Sequence, residues 1–86
     1  MIAFEVQLNG EVITTAGGED VDFLMSIIRW CRTDNGEETD IEICGQRGES
    51  HLIWKDAKLK LGDEIILRLV EVGINDVNRP GEVLIR

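Results

Sequence analysis

Apolar and polar positions alternate one by one at the start of the chain, with Ile2, Phe4, Val6 and Leu8 set against Ala3, Glu5 and Gln7. A period of two marks a half-buried strand. Asn9-Gly10 follows at once, the strongest short-range signal for a type I′ hairpin turn, and Glu11 to Ala16 returns as a second strand before Gly17-Gly18.

From Val21 to about Arg32 the apolar positions fit a helical period instead. Val21, Leu24, Met25, Ile28 and Cys31 make a core stripe on a helical wheel, and Asp22, Ser26 and Arg29 make a narrow polar one. Asp20 suits the cap of such a helix, Glu19 and Asp22 suit the positive end of its dipole, and Asn35 or Gly36 suits its C-terminal end. Phe23, Ile27 and Trp30 fall on a flank beside the core stripe, so the apolar arc is wider than one helix on one sheet needs. Either the chain's own loops or tail cover this flank, or it is a patch that binds something.

The segment from Glu37 to Cys44 reads as a strand with Ile41 and Ile43 facing in and Asp40 and Glu42 facing out, followed by a loop over 45–50 and a short strand over 51–54. Leu59 to Val72 holds the most β-prone apolar run, opened by a tight Gly62-Asp63 bend, and is predicted to be a central strand flanked on both sides. Residues 1–72 are expected to form a single domain, with 73–86 as an extended tail. The apolar end of that tail, Glu82 to Arg86, would dock on the Phe23/Ile27/Trp30 flank or add a strand to an edge.

A chain of 86 residues has room for one core. The formal charge of −8 opposes nucleic-acid backbones and anionic membranes, and favours a partner with a basic patch; its plain alternative is solubility alone. Cys31 and Cys44 form no CxxC pair and are expected as buried thiols rather than a disulfide. His51 is the one histidine, so no metal or other cofactor is expected. The first residues lack the pattern of a signal peptide and no run reaches the length of a membrane span, which points to a cytoplasmic protein.

Hairpin, helix, strand, short strand, bend and long strand make the ββαββ order of a β-grasp domain. The expected class is therefore α+β, with a mixed four- or five-stranded sheet packed on one helix. Leu59-Lys60-Leu61 with Gly62-Asp63-Glu64-Ile65 resembles the closing strand of ubiquitin-like sulfur carriers. More loosely, Ala3 to Gly10, Ile28-Arg29-Trp30 and Leu61 to Ile65 look like a set of short bacterial proteins, a likeness that implies no mechanism. The carrier resemblance would imply a C-terminal Gly-Gly that a partner enzyme adenylates. This chain reads Leu84-Ile85-Arg86 there, which argues against carrier chemistry unless processing occurs at Gly73 or Gly81.

Three short motifs are weak. Gly17-Gly18 sits among carboxylates that repel phosphate, and Gly45-Gln46-Arg47-Gly48 has the spacing of an RNA-clamping loop without its helices. His51 lies near Ser50, Glu49 and Cys44, but neighbours along a strand alternate faces, so no catalytic group is assigned. The expected function is a non-enzymatic, acidic protein-interaction module, an inhibitor or immunity-type protein being a special case. Glu37, Glu38, Asp40 and Glu42 would meet a basic protein, with Phe23, Ile27 and Trp30 as apolar anchor. A ubiquitin-like carrier or modifier and a self-associating homodimer are the alternatives.

Overall fold

The computed structural model describes residues 1–85. Its strands are β1 (Ile2–Leu8), β2 (Glu11–Ala16), β3 (Phe23–Thr33), β4 (Gly36–Arg47), β5 (Ser50–Leu59), β6 (Ile65–Glu71) and β7 (Glu82–Ile85), with one 3-10 turn at Ile74–Asp76. They form a three-stranded sheet ordered β2-β1-β6 and a four-stranded sheet ordered β3-β4-β5-β7. Every strand pairing is antiparallel. Val6 and Ala16 from the first sheet meet Ile41, Ile43, Leu52 and Trp54 from the second in one core. The shortest dimension is 16 Å, as expected for two layers about 10 Å apart.

This architecture corrects the α+β, β-grasp-like expectation: the described residues are nearly all β, and no helix is present for a sheet to wrap. The segment read as a helix is β3. Apolar residues stand at so many of its positions that a period of 3.6 and a period of 2 fit it about equally, and its Ile, Phe, Trp and Thr content favours a strand. The apolar arc that was too wide for a helix is the apolar content of both faces of a strand. Asp22, expected in the first helical turn, accepts a hydrogen bond from the Gly48 amide at 2.7 Å. Gly36, expected at a helix end, has φ 117° and closes the hairpin in which Thr33 pairs with it.

The first hairpin is as expected. Asn9 and Gly10 have φ of 53° and 84°, the left-handed pair that a type I′ turn demands. Asn9 also reaches the Gly62-Asp63 bend. Its Nδ2 donates to Asp63 Oδ1 at 3.0 Å, and its Oδ1 accepts from the Glu64 amide at 2.9 Å. Asp63 Oδ2 accepts from the Lys60 amide at 2.8 Å. One hairpin turn therefore fixes where β6 begins.

The strand that β6 supplies is an edge and not the centre, which corrects the second fold expectation. Among the described residues it pairs with β1 alone, and that pairing is antiparallel, unlike the parallel first-to-last pair of a β-grasp sheet. Beyond the 3-10 turn at Ile74–Asp76, β7 adds a strand to the edge of β5. On the way, the Asn78 amide donates to the Thr15 carbonyl at 2.9 Å, and the Thr15 amide donates to Asn78 Oδ1 at 2.8 Å. The Trp54 indole Nε1 donates to the Asn78 carbonyl at 2.9 Å, so Asn78 bonds to one strand of each sheet.

Two expectations follow. Trp54→Phe keeps the ring's bulk but strands the Asn78 carbonyl, and urea unfolding is expected to show a loss of about 1–3 kcal/mol. The hydrogen bond from Asn9, and after it the one from Lys60, holds the Asp63 carboxyl below its ordinary range. A folded pKa below the unfolded one gives stability that is present above about pH 3.9 and is lost as pH falls through the folded value. Asp63→Ala is thus expected to melt at a lower temperature than the wild type near neutrality. Circular dichroism melts should show that gap closing in acid; a gap constant with pH would count against the coupling.

Candidate functional site

Two features outside the core bring chemistry-bearing side chains together. The first lies on the outer face of the four-stranded sheet. Directly opposed residues of an antiparallel pair share a face. Ile41 and Ile43 are the buried alternates of β4, so Asp40, Glu42 and Cys44 belong to the other face, together with Arg29, Ile27 and Met25 opposite them on β3. The two-residue turn Gly48-Glu49 sets the register of the next hairpin, placing Gln46 opposite His51 and Cys44 opposite Ile53. His51 is therefore a diagonal neighbour of Cys44 on the same face. A β-bulge between Ile43 and Cys44 adds local twist there.

The donor atoms of Glu42, Cys44 and His51 all lie within 4.8 Å of one another. His51 Nε2 stands 3.8 Å from Glu42 Oε1. The other oxygen, Glu42 Oε2, accepts from Arg29 Nη2 at 3.2 Å, and Arg29 Nε donates to Asp40 Oδ1 at 2.9 Å. Cys44 is fully buried. Burial raises its thiol pKa first, and the charge of Glu42 and a hydrogen bond to that carboxylate raise it further. A nucleophilic cysteine needs the reverse, a thiolate favoured by an imidazole beside it. Here the carboxylate stands next to both the thiol and the imidazole, an order suited to holding a proton or a cation, not to acyl transfer.

The second feature is an open side of the sandwich. Ile28 and Trp30 share the inward face of β3 with Ile41 and Thr39 of β4, while Leu67 and Leu69 of β6 stand opposite the core-facing Val6 and Phe4. All four point toward the interlayer space, yet Ile28, Trp30 and Leu69 are 58%, 55% and 68% exposed. Ile28 and Trp30 border a cleft of about 750 Å³ whose lining also includes Glu37, Leu59, Leu61 and, from β6, Ile65. Trp30 Nε1 donates to Glu37 Oε2 at 3.3 Å, and the Arg32 guanidinium lies 5.2 Å over the indole ring.

The structure divides the expected contact residues between these features. Phe23 and Ile27 share the outer face with Glu38, Asp40 and Glu42, whereas Trp30 and Glu37 belong to the inward face. The grouping of Phe23, Ile27 and Trp30 depended on helical geometry and dissolves in a strand. Of the four carboxylates, Asp40 and Glu42 are bonded to Arg29, and Glu37 lies 3.9 Å from Arg32. Cys44 is buried as expected but Cys31 is exposed. Sequence reasoning set His51 near Cys44 but dismissed the grouping on alternating faces, and so missed that Glu42, Cys44 and His51 share one face. The available signal was Gly48-Glu49 as a two-residue turn, which places His51 on the outward parity of Glu42 and Cys44.

No helix among the described residues is long and apolar enough to cross a membrane. Comparison with protein-family models, with curated proteins and with solved structures yields no match to this chain.

The two thiols are expected to differ in reactivity. A small alkylating reagent near neutral pH should modify Cys31 in the folded protein and Cys44 only on unfolding. Peptide mass mapping before and after denaturation measures this, and equal native labelling would contradict the protected thiol.

Proposed function

We propose that this chain is a non-enzymatic interaction module that binds a basic protein segment along the open β3/β6 side of its sandwich. The observation that carries the reading is apolar surface that points into the interlayer space and is left uncovered. The chain exposes 5969 Å². A compact monomer of this mass, 9.7 kDa, exposes about 5100 Å². The excess, roughly 870 Å², is close to the share of about 800 Å² that one partner contributes to a standard interface.

The edge itself supports the same reading. β6 offers a free row of backbone groups, and its sequence, Ile-Ile-Leu-Arg-Leu-Val-Glu, has one charge before its last residue. Edges that must not pair usually carry more charge than this. An extended segment added to β6 gains main-chain hydrogen bonds, and its alternate side chains reach Leu67, Leu69, Ile28 and Trp30. The charge balance, with 17 acidic against 9 basic residues, favours a basic occupant and disfavours a second copy. Glu37 at the cleft and Glu38 on the neighbouring face are the carboxylates of the expected acidic surface that lie nearest the cleft-facing Trp30. An inhibitor that occupies a basic active site fits the same surface.

Sedimentation at rising concentration, with and without added salt, and capture of basic partners test the reading together. The wild type is expected to stay monomeric and to bind less in high salt. Leu69→Lys and Trp30→Ala change exposed side chains, so the fold should survive, and each is expected to weaken capture by about tenfold or more. A dimer abolished by Leu69→Lys would assign the surface to a second copy. Undiminished capture by both variants would remove it as a binding surface.

A further inference from the structure

We propose that Glu42, Cys44 and His51 form a binding site for a divalent zinc-class metal ion on the outer face of the four-stranded sheet. This site is independent of the β3/β6 cleft, because its residues stand on the opposite face of β4 from Ile41 and Ile43.

The donor set carries the inference. Thiolate, imidazole and carboxylate are the three ligand types that zinc accepts, with bonds of about 2.0 to 2.3 Å. Ligand atoms around a tetrahedral ion of that size stand somewhat under 4 Å apart. The three donors are already within 4.8 Å of one another, so binding needs side-chain adjustment and no movement of strands. They come from two strands locked in register by the short turn between Arg47 and Ser50.

The surroundings match the charge of the ion. Arg29 holds Glu42 Oε2 and leaves Oε1 turned toward His51, which is how an outer partner orients a ligand. The positive charge of Arg29 is itself met by Asp40. Glu42 is thus left as one net negative charge, and a thiolate at Cys44 adds a second. A divalent ion brings the local charge to zero, and it replaces the thiol proton, which leaves to solvent. Glu42 and His51 keep 18% and 29% of their side chains exposed, so the ion is reached from solvent and retains a position for water. Three protein ligands with one open position is the arrangement of a reactive or exchangeable zinc rather than a closed structural one.

Cobalt(II), then zinc(II), titrated into the full-length reduced protein provides the test. Cobalt is expected to give a thiolate charge-transfer band that saturates at one ion per chain and is bleached by zinc, with release of a proton and a rise in melting temperature. His51→Gln and Glu42→Gln alter partly exposed side chains and are each expected to weaken binding by about tenfold or more. Cys44→Ser should abolish the charge-transfer band, and Cys31→Ser should leave it intact. If Cys44→Ser does not fold, the His51 and Glu42 variants still decide the matter. Absence of the band, or a band that depends on Cys31 and not on His51, would overturn the site.

Discussion

The indole of Trp54 is the contact on which the rest of the sandwich depends. Its ring fills the core between two sheets of unequal size, and its N–H holds the carbonyl of Asn78. Asn78 in turn bonds to Thr15 of the smaller sheet through both its backbone and its side chain. One aromatic residue thus joins the four-stranded sheet, the tail and the three-stranded sheet. The core beneath it is small. Apart from Trp54, its fully buried members are Val6, Ala16, Ile41, Ile43 and Leu52, so a flat domain relies on a polar link that a thicker one would not need.

The same flatness explains what was legible in the sequence and what was not. Local turn chemistry was readable: Asn9-Gly10 forces its hairpin whatever surrounds it, and the Gly62-Asp63 bend forms where its residues indicate. The segment over 23–33 was not readable by period, because a strand that carries apolar residues on both faces has no polar side to reveal an alternation of two. Its acidic flanks looked like a helix cap because Asp22 wants a backbone amide; it found the amide of Gly48, in the next hairpin. The apolar run of β6 resembled a central strand for a related reason. Apolar residues mark where water is to be excluded, and they do not say whether the chain itself or another molecule excludes it.

The two surfaces use one scaffold strand in opposite directions. β4 sends Thr39, Ile41 and Ile43 toward the interlayer space and Asp40, Glu42 and Cys44 away from it. Neither set could be assembled from sequence neighbours alone. Trp30 meets Glu37 across a hairpin, and His51 meets Cys44 across the next one, so both groupings exist only once the registers are fixed.

The bulge opposite Ile43 has a consequence for how this protein can change. Before it, the even-numbered Leu52 and Trp54 face the core; after it, the odd-numbered Ala57 and Leu59 do. Trp54 is the extra residue, and it works as a phase shifter between two halves of one strand. A one-residue deletion on either side would send Asp56 and Lys58 inward or His51 out of reach of Cys44. Substitution is open to β5 at many positions, but its length is not.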